Sequence, residues 1–172
     1  YAALSAFGAG GSNGHLIVAS APEEAKREPI TEPQLIILSA ATKHSLSHMC
    51  AQLAMHCRAT PQLALADLAY TLQVGRDAFA QRIAFVAESV DDAITQLEQL
   101  VSVLVAEQTD DRIGAEGSES IARLLSGNTA AQFAQQLLET QDLSALARLW
   151  LCGADLPWVE LLTTAGARKV SL

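Results

Sequence analysis

Residues 21–33 carry Pro22, Pro29 and Pro33 among Glu23, Glu24, Lys26, Arg27, Glu28 and Glu32. Proline withholds a backbone donor and the charges favour water, so no packed core runs through this stretch. Residues 21–34 are therefore expected to be an extended surface linker between two packing units. Half of the 172 residues are hydrophobic and 17% are charged, which excludes a disordered tail. The length suits one domain or one and a half. Eleven Lys and Arg against 19 Asp and Glu leave a net charge of −8. A nucleic-acid partner, which requires a concentrated basic footprint, is not expected. No apolar run, 35–38 and the stretch 101–106 included, approaches the ~18 residues of a membrane helix, so no membrane partner is expected. Tyr1 opens the chain with neither Met nor a basic leader, and the chain reads as a piece of something longer. Cys50, Cys57 and Cys152 are odd in number and form no CxxC, which points to a reducing, cytoplasmic setting.

In the first unit, residues 1–20, Ser5-Ala6-Phe7-Gly8-Ala9-Gly10-Gly11-Ser12-Asn13-Gly14 reads as a Gly-rich loop. His15-Leu16-Ile17-Val18-Ala19 reads as a short buried strand. The second unit opens on Leu35-Ile36-Ile37-Leu38, a buried-strand signal. Leu46, Met49, Cys50, Leu53 and Cys57 recur at helical spacing over 42–58. Leu65, Leu68, Ala69 and Leu72 predict a second helix over 62–74, with Gly75 as a left-handed cap. Residues 82–87 form a second strand. Ser89 and Asp92 then open a helix whose buried side is Val90, Ile94, Leu97 and Val101. Strand–helix–helix–strand–helix over 35–107 is an α+β pattern.

Residues 109–120 are polar and read as a loop. Helices follow at 120–125, 129–139 and 142–152, the last with Asp142 as its cap and Leu143, Leu146, Ala147 and Trp150 as its stripe. Asp155-Leu156-Pro157-Trp158 starts a short helix. Residues 166–172 have the look of a closing strand, giving a small sheet of about three strands with helices packed on it.

Chemistry is sparse. Gly8-Ala9-Gly10-Gly11-Ser12-Asn13 lacks the third glycine of a dinucleotide fingerprint and leads into a strand, not a helix. A structural hairpin, or a loop that lets backbone approach a reacting group, remains. His44 and His48 lie one helical turn apart, but no HExxH or second ligand pair accompanies them, so no metal site is assigned. No G-x-S-x-G elbow is present. Trp150 and Trp158 flank a glycine turn on leucine-bearing faces and read as core anchors.

Four segments together resemble the end of the ketosynthase and its following linker in modular type I polyketide synthases. Residues 5–18 are similar to the family's closing Ser-Phe-Gly-x-Gly-Gly-(Thr/Ser/Ala)-Asn-Ala-His motif. Leu65-Ala66-Asp67-Leu68-Ala69-Tyr70-Thr71-Leu72-Gln73-Val74-Gly75-Arg76, with Gln81-Arg82-Ile83-Ala84-Phe85-Val86, resembles the signature of the next domain. Leu149-Trp150-Leu151-Cys152-Gly153-Ala154-Asp155-Leu156-Pro157-Trp158 resembles a later Leu-Trp-x-x-Gly stretch. Arg168-Lys169-Val170-Ser171-Leu172 resembles the start of an Arg-Arg-Val-Ser-Leu-Pro-Thr-Tyr-Pro ending.

The resemblance implies residues 1–20 as the ketosynthase's terminal loop and strand, 35–107 as an α+β flanking subdomain, 108–165 as a helical region and 166–172 as its closing strand. With no room for an acyltransferase domain between Arg76 and Leu149, it looks like the trans-acyltransferase class. In that class a helical insertion here can self-associate, which places a self-association surface in the helices of 108–150. The family's Cys nucleophile and two His residues match no position here, so no catalytic residue is assigned in this chain and Cys50, Cys57 and Cys152 are not promoted to that role. By resemblance the Ala9 N–H helps form an oxyanion hole lined by Gly8, Gly10, Gly11 and Ser12. A preorganised donor of this kind is worth about 3–4 kcal/mol in a transition state. Ala6 and Gly14 depart from the usual Ser and Ala. Asn13, His15, Trp150 and Trp158 are expected to be structural.

The implied role is non-catalytic: to brace the ketosynthase and shape the surface where an acyl carrier protein docks. The fragment binds no cofactor of its own, and phosphopantetheine belongs to that carrier. The alternative is the downstream half of a split ketosynthase that completes an active site in trans.

Overall fold

A computed structural model describes residues 1–20, 30–107, 128–154, 156–161 and 166–172. The body of the linker, the loop at 109–120, the helix at 120–125 and Asp155 lie outside the described residues. Within them, β1 (Ala2–Phe7) pairs antiparallel with β2 (Asn13–Val18). A second antiparallel pair joins β3 (Gln34–Ala40) to β4 (Gln81–Ala87) across α1 (Lys43–Ala59) and α2 (Leu65–Val74). Then come α3 (Val90–Glu107), α4 (Asn128–Glu139), α5 (Leu143–Leu151) and α6 (Trp158–Leu161). The α+β class and the strand–helix–helix–strand–helix order match the reading of the sequence.

Local signals place the helix starts. The Ser45 N–H donates to Thr42 Oγ1 at 3.1 Å, and the Ala145 N–H donates to Asp142 Oδ1 at 2.9 Å. At α3 the Asp92 N–H donates to Ser89 Oγ, while Asp92 Oδ2 accepts from the Glu88 N–H, both at 3.0 Å. The first bond satisfies a donor which a helix start leaves open, and the second ties the residue before the cap to the first turn. Gly75 differs from expectation: its φ of −103° is right-handed. Glycine is required there because a Cβ would lie 2.5 Å from the Thr71 carbonyl oxygen, the same oxygen that accepts the Gly75 N–H.

Two cores share the β3–β4 pair. Ile36, Leu38 and Ala40 point into the first, with Leu46, Cys50, Leu53 and Cys57 of α1, Leu68 and Leu72 of α2, and Ile94 and Leu97 of α3. Leu35 and Ile37 point into the second, with Leu146, Leu149 and Trp150 of α5, and Trp158. The expected stripes are buried as read, except that Met49, Val90, Val101 and Leu143 are only partly covered.

Two expectations are corrected. The run from His15 to Val18 is a strand but not a buried one: Leu16 is 57% and Ile17 65% exposed, and every position of the hairpin is open. No other part of the described chain covers its faces. Residues 166–172 add no third strand to β3–β4. Helix side chains take the place of a partner strand there: the Arg168 N–H donates to Asp67 Oδ1 at 2.8 Å and the Val170 N–H to Thr71 Oγ1 at 2.9 Å.

Arg82 ties the two halves of the second core together. Its Nη1 donates to the carbonyls of Trp150 (3.0 Å) and Ala154 (2.9 Å), and its Nε to that of Phe79 (2.9 Å). The guanidinium carbon sits 4.2 Å from the centroid of the Trp150 ring. Arg82→Ala strands part-buried carbonyls at the end of α5 and removes the stacked cation, so it is expected to cost about 2–4 kcal/mol. Arg82→Lys recovers less than half of that loss, lacking the planar fork. Urea unfolding midpoints of the three proteins check this.

Candidate functional site

The glycine-rich residues form the tip of the β1–β2 hairpin. Phe7 and Asn13 are the closing pair, leaving residues 8–12 as the loop. The Gly11 N–H donates to the Gly8 carbonyl at 3.0 Å, which makes Ala9 and Gly10 the central residues of a tight turn. The Gly8 N–H donates to the Ser12 carbonyl at 2.8 Å. Neither bond uses the N–H of Ala9 or Gly10. Two glycines are obligatory for different reasons. Gly11 has a φ of +86°, and a Cβ on Gly8 would lie 2.8 Å from the Ser12 oxygen. Around Gly10 and Gly14 the space is open.

All five loop residues are exposed, and the N–H groups of Ala9 and Gly10, which neither bond uses, meet solvent without side-chain cover. Such a tip can offer N–H groups to an oxygen that approaches closely. It holds no acid or base, and its one side-chain hydroxyl is that of Ser12. Asn13 closes the loop opposite Phe7, and His15 stands opposite Ser5 with its Nδ1 2.8 Å from Ser5 Oγ.

Trp150 and Trp158 lie far along the chain and are not brought to the loop by any described contact. They are 4% and 6% exposed, with ring centroids 6.0 Å apart and planes tilted by 60°, as core anchors require. His44 and His48 are exposed on α1. Among the described residues no three His, Cys, Asp or Glu side chains gather as metal ligands. No described helix is long and apolar enough to cross a membrane.

Sequence reasoning missed Ser5, Arg82, and the Asp67 and Thr71 hydroxyl and carboxyl groups that hold 166–172. It also missed Arg76, which borders three cavities of about 280–340 Å³ beside α2. Only Ser5 carried a findable signal: closing a hairpin around the glycines sets it against His15.

Residues 34–97 match the family model described as CurL-like, PKS C-terminal. Over 99% of its length the chain is 31% identical to polyketide synthase PksM of Bacillus subtilis, of which it covers 4%. The ketosynthase from module 6 of the bacillaene synthase of Bacillus subtilis superposes over 99% of the chain with a TM-score of 0.69 at 25% identity. The chain covers 29% of that structure. The ketosynthase from module 1 of the bacillaene synthase of Bacillus amyloliquefaciens gives the same TM-score at 28% identity, again over 99% of this chain and 28% of its own. The chain belongs to the ketosynthase C-terminal region of the polyketide synthases. It spans a small part of the curated relatives and under a third of the solved ketosynthases.

In this ketosynthase region the cysteines behave as packing residues. Cys50 and Cys57 lie in the first core, and burial pushes the Cys50 thiol up from 9.0 to about 11 and raises that of Cys57. A nucleophilic thiol needs the opposite shift. Cys152 is half-buried at the end of α5.

Three outcomes follow for this segment. At about pH 8 an alkylating reagent is expected to leave Cys50 and Cys57 of the folded chain unmodified and to label both in concentrated urea, as mass spectrometry of peptides reads directly. Since the folded pKa of Cys50 exceeds the unfolded value, its stabilising share is full below pH 9 and is lost as pH rises towards 11. Stability against pH over that window falls more gently in Cys50→Ala. In the loop, Gly8→Ala is expected to unfold the hairpin tip. Gly14→Ala, with open space at its Cβ, stabilises the hairpin by about 0.4–1 kcal/mol. Amide exchange across residues 1–20 separates the two.

Proposed function

We propose that this chain is the structural and interaction portion of a ketosynthase: it braces the catalytic body, supplies the oxyanion loop and presents a surface for an acyl carrier protein. The observation that carries this reading is the contrast between the chain's two parts. Residues 34–107 and the C-terminal helices bury two cores of their own. The hairpin instead exposes Leu4, Leu16 and Val18 on one face and Phe7 and Ile17 on the other. An apolar ribbon open on both faces gains by burial at about 25 cal/mol per Å², and an isolated two-stranded hairpin is marginal without it. Its cover is the remainder of the ketosynthase.

In that setting the Ala9 N–H faces the thioester oxygen, with Gly8, Gly10, Gly11 and Ser12 around it. The parent protein transfers and condenses acyl chains carried on the phosphopantetheine of a carrier protein, with its nucleophile and imidazoles outside this chain. Compact spacing between Arg76 and Leu149, across α3 and α4, supports the trans-acyltransferase class and a cytoplasmic assembly line. Helices of 108–150 supply a self-association surface. On α4, Ala134 is buried and Leu137 and Leu138 pack inward, while Phe133 remains 45% exposed as the side chain to meet a second copy.

Co-expression with the upstream part of a ketosynthase tests this. Amides of 1–20 are expected to gain protection from exchange only in the complex, whereas those of 34–107 are protected in both states. A hairpin fully protected in the chain alone, or acylation of one of its own cysteines by a thioester, sinks the reading. Light scattering at high concentration is expected to show association that Phe133→Asp weakens. A strict monomer removes the self-association surface.

A further inference from the structure

Ser5 and His15 face each other two pairs below the loop, with Ser5 Oγ 2.8 Å from His15 Nδ1. We propose that they are positioning residues which lock the hairpin register and so hold the Ala9 N–H in place; this rests on the reading of residues 8–12 as an oxyanion loop.

The rest of the hairpin specifies its register weakly. Ala2, Ala3 and Ala6 occupy three of the six pairs, with Gly14 opposite Ala6, so little side-chain surface interlocks across the strands. Leu4 opposite Leu16 is the one pair of large apolar residues. A slide by one residue exchanges the faces and is opposed by whatever covers them. A slide by two keeps every residue on its face. In the direction that lengthens the loop it sets Ser5 against Ile17 and His15 against Phe7, and it carries Asn13 and Gly14 off the strand.

Such a slide moves the turn at Ala9 and Gly10 and breaks the Gly8–Ser12 closure. It also breaks the Ser5–His15 hydrogen bond, the one side-chain-to-side-chain hydrogen bond within the hairpin among the described residues. An oxygen-binding donor tolerates little displacement: an error of about 1 Å costs on the order of a hundredfold in rate.

The test is made in the ketosynthase assembled around this chain, with kcat and KM measured separately. Ser5→Ala is expected to lower kcat by about tenfold or more with KM within about twofold, the signature of an interaction used in the transition state. Ser5→Thr, which keeps the hydroxyl on a strand-favouring residue, restores kcat. The double variant Ser5→Ala, His15→Ala is no worse than either single one, because both remove the same bond. In the same assembled protein, Ser5→Ala speeds amide exchange at Gly8 and Gly11, whose N–H groups close the loop, and Ser5→Thr does not.

Ala9→Pro, which deletes the N–H, separates the two claims. If Ala9→Pro abolishes turnover while Ser5→Ala leaves kcat and exchange unchanged, the register lock is overturned and the oxyanion reading survives. If Ala9→Pro leaves kcat intact, the oxyanion reading falls and takes the catalytic consequence with it. Exchange in Ser5→Ala then decides the lock alone.

Discussion

β3 is apolar on both faces, and the division of the subdomain into two cores rests on that fact. Antiparallel pairs commonly keep one face for water. Here Ile36 and Leu38, opposite Phe85 and Ile83, look into one core, while Leu35 and Ile37, opposite Val86 and Ala84, look into the other. A shift of β3 against β4 by a single residue would break both cores at once, so the register is doubly specified. A side chain of α2 occupies one backbone carbonyl of β3, and the turn after α2 is tied to the strand through the Ser39 hydroxyl. Gln73 Nε2 donates to the Leu35 carbonyl at 2.6 Å, and Ser39 Oγ donates to the Asp77 carbonyl while accepting the Phe79 N–H.

That arrangement accounts for what could be read along the chain. Leu35-Ile36-Ile37-Leu38 is an unbroken apolar run because both sides of the strand are buried, and such a run is visible without any tertiary knowledge. The stripes of α1, α2 and α5 and the caps at Ser89 and Asp142 depend on residues within a turn or two of each other, so they were legible too. Residues 166–172 were not. Their apolar alternation imitates a strand, but their N–H groups find Asp67 and Thr71, about a hundred positions earlier, and nothing local encodes that choice. Gly75 failed for a related reason: its need is room beside the Thr71 carbonyl, not a positive φ. In the candidate site the loop residues were legible as a motif, whereas the Ser5–His15 bond exists only once the hairpin has closed in one register.

The cysteines show packing and reactivity pulling against each other. A thiol among leucines is a good small hydrophobe because it stays neutral, and the same desolvation that favours its burial keeps it from becoming a thiolate. Cys50 and Cys57 therefore contribute to the first core through the same desolvation that holds their thiols neutral. The loop has the complementary character. Its donors are main-chain groups, which need no ionisation and whose placement depends on backbone conformation alone.

A backbone donor stabilises developing charge only if it is held in position before the charge appears. Side chains can be held by the packing around them, but Ala9 and Gly10 at an exposed tip have none. Their placement must come from below, through the Gly8–Ser12 closure and the pairing of β1 with β2. The sequence makes that pairing from small residues, which let another surface approach closely at the cost of weak interlocking between the strands. A polar cross-strand pair set two positions from the tip supplies direction where packing cannot. On the proposed reading, the surrounding protein then has only to cover a ribbon whose register is already chosen, and the two-core subdomain downstream is left to serve as scaffold.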